Sequence, residues 1–158
     1  MLRKLLVERF KIADHFEDRE TPVYTLEPVK QGLRLKESTG SADRPCTDRS
    51  VPPGLRTYEC HHVPMQMLVS LLPNVASDYL DRPVINLTNL KGEYDISLRW
   101  STRLLTDSIA DIGPAGADAS ERPTIFQALS QQLGLTLSPR KYPLASLVID
   151  HVERLEEH

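Results

Sequence analysis

The stretch Pro83-Val-Ile-Asn-Leu-Thr-Asn-Leu-Lys-Gly-Glu-Tyr-Asp-Ile-Ser-Leu-Arg-Trp100 constrains the fold more than any other part of the chain. Two β-rich runs, 84–87 and 94–100, flank a segment punctuated by Asn89 and Gly92, residues that tolerate positive φ. The pattern predicts a hairpin. A short amphipathic helix precedes it, and the order helix, strand, strand can be read three times along the chain.

In the first unit Leu2, Leu5, Leu6 and Phe10 recur at helical spacing, with Arg3, Lys4, Glu8 and Arg9 on the other face. Two extended runs follow, 11–19 and 23–29, joined near Glu20-Thr21-Pro22, and Gly32 turns the chain into a short strand at 33–35. The second unit opens at Pro64. Met65, Leu68, Leu72, Ala76 and Tyr79 or Leu80 form its stripe, and Pro73, which lacks a backbone donor, predicts a kink or two short helices. The 84–100 hairpin completes this unit.

The third unit carries the clearest helix signals. Thr124 and Gln127 fit a capping box, each side chain satisfying a free amide at the helix start. Ile125, Leu129 and Leu133 form the buried stripe, with Phe126 beside it, and Gly134 is placed to end the helix with positive φ. Two strands follow, 135–138 and 145–152, around Pro139-Arg-Lys-Tyr-Pro143. Leu147-Val148-Ile149 is apolar on both faces, which predicts a strand inside a sheet. Residues 37–59 and 101–122 have no hydrophobic period and read as irregular loops.

Helices cannot bury a stripe alone, and hairpins need a covered face. The expectation is one α+β domain over residues 1–158, its three helix–strand–strand units forming an antiparallel sheet with helices packed on one face. At 158 residues the chain is long enough for a real core. A net charge of −3 and scattered basic residues argue against a nucleic-acid partner, which needs a concentrated basic face. The one near-cluster, Arg140-Lys141, reads as a solvated turn. No apolar run approaches the roughly 20 residues of a membrane span. Glu8 and Arg9 interrupt the apolar start, so it reads as a helix rather than a signal peptide, and the chain taken literally reads as cytoplasmic.

Several segments, in order, resemble a soil-bacterial family abundant in acidobacteria and called the Soli family. They are Leu5-Leu-Val-Glu-Arg-Phe-Lys-Ile with His15 and Val23-Tyr-Thr-Leu, then Arg82-Pro-Val-Ile-Asn-Leu-Thr-Asn-Leu-Lys-Gly-Glu-Tyr-Asp. Ile125-Phe-Gln-Ala-Leu-Ser-Gln-Gln-Leu-Gly-Leu-Thr-Leu and Leu147-Val-Ile-Asp-His-Val-Glu-Arg follow, so the resemblance runs from Leu2 to about Arg154. It implies an exported, periplasmic or secreted domain of a protein without established catalytic residues. Some members are similar to the extracytoplasmic part of membrane sensors that resemble the beta-lactam receptor. Members usually carry a further N-terminal segment and a signal sequence, so the resemblance implies the C-terminal portion of a longer member. Where the family has Asp-x-Thr-Gly-Leu, this chain has Asn86 and Asn89. Asn tolerates left-handed backbone, so the turn is expected to survive, but a role needing a carboxylate at position 86 is put in doubt.

Few residues carry chemistry. Cys60-His61-His62 is the one cluster of soft ligands, yet zinc wants three or four ligands paired across a turn or helix, and neighbours on a strand point opposite ways. His15 and His151 would complete a site only by tertiary placement. Asp95 and Asp150 could do acid–base work as a pair if burial raised one pKa; the plainer alternative is that each faces solvent or accepts hydrogen bonds from a turn. Trp100, Tyr94 and Tyr58 together offer a recognition surface, while the plainer reading of Trp100 at a strand end is a core lid. Met65 and Met67 read as packed inside.

The reading that follows is a non-catalytic extracytoplasmic interaction or sensing domain with a protein partner in the cell envelope and no cofactor. Its rival is a metal-dependent hydrolase using His61, His62 and an Asp. The oligomeric state stays open. In an oxidising compartment Cys46 and Cys60 are expected to pair across the polar loop; in a reducing one they stay free thiols. Deletion of residues within 106–120 is expected to be tolerated, because closure entropy changes slowly with loop length. Leu129→Asp is expected to unfold the domain, since a charge in the third helix's stripe costs roughly several kcal/mol. A thermal melt unchanged from wild type would place Leu129 off that stripe.

Overall fold

The computed structural model describes residues 2–30, 32–40, 46–49, 54–104 and 122–153. The chain forms two compact units, Met1–Pro22 with Lys141–His158, and Val23–Arg140. Its elements are α1 (Leu2–Phe10), β1 (Ala13–Pro28), β2 (Lys36–Glu37), β3 (Cys46–Asp48), β4 (Leu55–Pro64) and α2 (Met65–Val75). Then come β5 (Val84–Asn86), β6 (Glu93–Ser101), α3 (Ile125–Ala128), which runs on as a π turn over Leu129–Leu133, and β7 (Leu135–His151). The fold is mixed α+β. Among the described residues the strands form two sheets, ordered β5-β1-β7 and β2-β6-β4-β3, rather than the one expected.

The hairpin pattern misleads. Strand β6 pairs antiparallel with β4 along most of its length and with β2 at Tyr94 and Asp95. A strand has two edges, and both of these are taken. Strand β5 therefore joins the other sheet, parallel to β1, with Tyr24, Thr25 and Leu26 opposite Val84, Ile85 and Asn86. The segment between is a compact turn. Asn86 Oδ1 accepts from the Thr88 amide at 3.1 Å and its hydroxyl at 2.7 Å, while Asn89 takes φ 57°. Only an acceptor is needed at position 86, and the Asn amide oxygen supplies it.

Two further expected turns are straight strand. Glu20-Thr21-Pro22 and Pro139–Pro143 lie inside β1 and β7, where no residue has positive φ. Proline's fixed φ suits extended backbone, and its missing donor is harmless where an edge faces no partner. The terminal half of β7 is likewise not inside a sheet: Leu147 and Ile149 are exposed, and β7 ends its sheet's order. Residues 33–35 are not strand, and β3 with the first half of β4 falls in the 37–59 stretch expected to be irregular. Residues 105–121, including the deletion segment, lie outside the described residues.

Unit two holds the core. Tyr94, Ile96, Leu98 and Trp100 alternate inward from β6 and meet Met65, Leu68, Val69 and Leu72 of α2. Ile125, Ala128, Leu129 and Leu133 from α3 and its π turn complete the layer. Helix α2 is one helix that ends within a turn of Pro73. The capping box forms as read, with Gln127 N–H donating to Thr124 Oγ1 and Thr124 N–H to Gln127 Oε1. Gln132 goes further than its sequence position suggests. Its amide donates to the Arg99 carbonyl at 2.7 Å and accepts from the Arg99 N–H at 2.9 Å, imitating a neighbouring strand.

Gly134 ends the π turn at φ 69°, and its carbonyl accepts from the Val29 amide at 2.9 Å. A Cβ there would collide with the Gly32 carbonyl oxygen and sit 3.1 Å from the Arg34 amide nitrogen. Gly134→Ala is expected to destabilise the protein by at least about 1 kcal/mol in urea unfolding, from strained φ and backbone collision together. Gly40→Ala, at an ordinary φ with nothing within 4 Å, is the control and should leave the midpoint in place.

Candidate functional site

Two places concentrate polar chemistry, one in each unit. In unit two the sheet edge is stapled: Cys46 and Cys60 stand directly opposite on β3 and β4, Cα atoms 4.1 Å apart, and are joined by a disulfide. The bond closes a loop with a sequence separation of 14, worth about 3 kcal/mol in the chain-entropy view.

Immediately after Cys60 the ladder slips. Cys60 opposes Ile96 and Val63 opposes Tyr94, so His61 and His62 together face Asp95 alone. This is a β-bulge, and within it His62 takes the left-handed conformation at φ 55°. The amide freed by the slip is satisfied by the opposing side chain, His62 N–H donating to Asp95 Oδ1 at 3.1 Å. His61 Nδ1 lies 3.6 Å from the same oxygen, and His62 Nε2 lies 2.5 Å from Glu93 Oε2. His62 Nδ1 is buried without a hydrogen-bond partner. Lys36 is Asp95's partner across β2, and a cleft of about 330 Å³ opens between Lys36, Ser38, His61, His62 and Asp95.

The Ser38 hydroxyl, the His62 amide and then the charges of His61 and Lys36 hold the Asp95 carboxyl below its ordinary range. Its shift runs opposite to that of a general acid. Asp150 belongs to unit one, and the acid–base pair that the sequence suggested gains no support: Asp95 is the hydrogen-bond acceptor of a bulge. His15 and His151 belong to unit one, and His61 and His62 to unit two. Among the described residues no group of three or more His, Cys, Asp or Glu side chains is arranged to hold a metal ion. Trp100 is buried in the core, as is Tyr94, while Tyr58 and Met67 are half-buried against it. Sequence reading missed the bulge because nothing in Cys-His-His marks a positive φ; Asp95 alternating among apolar residues was the only hint.

In unit one β1 and β7 form a two-stranded ribbon. His15 Nδ1 sits 2.8 Å from Asp150 Oδ2, with Glu17 3.8 Å from the other ring nitrogen and Arg19 paired to Glu17. Lys11 and His151 both reach Glu153, at 2.6 and 3.7 Å. The unit also exposes large apolar side chains: Phe16 is 62% exposed, Leu147 50%, Ile149 56% and Val152 53%. Leu5 of α1, expected in a buried stripe, is 54% exposed. No helix among the described residues is long and apolar enough to cross a membrane.

The Asp150 hydrogen bond and charge, with Glu17 assisting, raise His15 above its ordinary value of 6.5. The stabilisation from protonated His15 is therefore complete below about pH 6.5 and is lost as pH rises through the raised folded pKa. An NMR titration is expected to show the His15 ring titrating above 6.5, and Asp150→Asn to bring it back down. A His15 titration unmoved by that substitution would break the assignment.

No curated protein and no solved structure matches the chain. A family profile does, over residues 1–152. The chain, with its stapled sheet edge and its open ribbon, belongs to the family described as a protein of unknown function, DUF3738.

Proposed function

We propose that the protein is a non-catalytic interaction or sensing domain that works outside the cytoplasm, docking a protein partner of the cell envelope. The exposed apolar side of the β1–β7 ribbon carries this reading. A two-stranded ribbon is marginal in water by itself, and large apolar side chains gathered on an open face mark contact surfaces. Leu147 and Ile149, two positions apart, share a face of β7, while Tyr142, Leu144, Ser146 and Val148 on the other face are half-buried. The Cys46–Cys60 bond supports an oxidising compartment. The resemblance to the soil-bacterial Soli proteins, and to the extracytoplasmic part of membrane sensors, supports the same reading.

The hydrolase alternative gains nothing from the geometry. His61 and His62 turn to separate carboxylates, Asp95 and Glu93, and Asp95 is occupied by the bulge.

The triple variant Phe16→Ser, Leu147→Ser, Ile149→Ser tests the proposal. If the ribbon face is a contact surface, each substitution costs no more than about 0.5 kcal/mol, so the melt stays near wild type while binding of an apolar fluorescent dye falls. Loss of roughly 2–5 kcal/mol per site would show that these residues are core, and the reading would fail.

A further inference from the structure

At the edge of unit two, β3 ends the order β2-β6-β4-β3 and covers the outer side of β4. The Arg49 N–H donates to the Thr57 carbonyl at 2.8 Å. Hydrogen-bonded pairs alternate along an antiparallel ladder, so Thr47 and Glu59 form the next such pair. Cys46 and Cys60 then fall at a pair without backbone bonds, where Cα atoms approach most closely. The far side of β4 agrees. Arg99, opposite Thr57, gives its amide and carbonyl to Gln132, which leaves Leu98 to bond Tyr58. Thr57 and Glu59 therefore turn their amides toward β3, whereas Tyr58 and Cys60 turn theirs toward β6.

The two strands are held very differently. Thr47, Asp48 and Arg49 are exposed, while Cys46 packs against the core, so β3 buries little apolar surface. Arg49 pairs with Glu59 and Arg56 with Asp48, but at the surface, where ion pairs contribute little. Strand β4, by contrast, pairs with β6 from Leu55 to Pro64 and buries Cys60 and Val63 in the core. A buried thiol behaves as a small apolar side chain, so Cys60 keeps its place without the bond.

We propose that the Cys46–Cys60 bond is a reducible latch. Opening it frees residues 46–49 from β4 and uncovers the backbone groups of Thr57 and Glu59, while the rest of unit two stays folded. A dithiol supplies the electrons. One of its thiolates attacks Sγ of Cys46, the less buried cysteine, the S–S bond breaks, and Cys60 leaves as a thiolate. The second thiolate then attacks the mixed disulfide and releases Cys46. The dithiol ends as its own disulfide, and its two protons and two electrons end on the cysteine pair. An uncovered strand edge is a template for another strand, so the latch sets when the outer edge of β4 can pair. The device is independent of the ribbon and its apolar side chains.

The test follows amide hydrogen exchange in the whole protein when oxidised, when reduced with a small dithiol, and after reoxidation. Reduction should speed exchange at Thr47, Arg49, Thr57 and Glu59 roughly a hundredfold, the effect of losing a crosslink over a sequence separation of 14. Tyr58 and Cys60 should keep their protection, the melt should stay cooperative, and reoxidation should restore the first pattern. Cys46→Ser should reproduce the reduced pattern with no reductant present. Unchanged exchange at the four amides after reduction would overturn the proposal. Loss of protection at Tyr58 and Cys60 too, or a Cys46→Ser protein that does not fold, would also overturn it, making the bond a staple of the whole unit. So would a bond that the dithiol leaves intact in the folded protein, read by alkylation and intact mass.

Discussion

Burial of one face of β6 organises unit two. Tyr94, Ile96, Leu98 and Trp100 point inward at strict alternation, and each finds a helix or strand side chain to cover it. At about 25 cal/mol per Å² of apolar surface, four such side chains dominate the local energetics. Their alternation fixes register, since a slip by one residue would turn all four toward water. Strands β4 and β2 take the two edges of β6, so the chain on either side of it must find other partners. From that follow the crossing of β5 into the second sheet and the place of α3 against β6.

The remaining irregularities answer a second constraint, that backbone polar groups near a core need partners. Each answer is a single side chain acting as a piece of backbone. Asp95 takes the amide released by the His61–His62 bulge, Asn86 closes the turn after β5, and Gln132 stands in for a strand beside Arg99. All three side chains thus serve the backbone, Asp95 among them. Asp95 in particular is held ionised by its donors, as suits an acceptor.

Unit one follows different physics. Its ribbon joins the chain's early and late residues by backbone pairing, with Glu153 N–H donating to the Phe10 carbonyl at 2.9 Å, and by surface ion pairs around His15 and Glu153. Exposed ion pairs contribute little individually, and apolar side chains remain uncovered. The stapled unit two has the core, and the ribbon leaves large apolar side chains exposed.

Local signals were legible because they involve residues close in sequence. The capping box of Thr124 and Gln127, the left-handed Gly134, the stripe of α2 and the buried positions of α3 are set within a turn or two of helix, where steric and hydrogen-bonding preferences act directly. The pairing of Cys46 with Cys60 was readable as an option, and the register of β3 on β4 made it a bond. Strand partners were not legible, since β-rich runs such as 84–86 and 94–100 have the same composition whichever sheet they join. The prolines of β1 and β7 were read as turns because proline is compatible with both turn and extended edge, and only the neighbouring strand discriminates. The sequence alone determined where the helices start, the cap of α3 and the buried stripes of α2 and α3; tertiary structure decided which edges met, because strand pairing is non-local and each strand has only two edges to give.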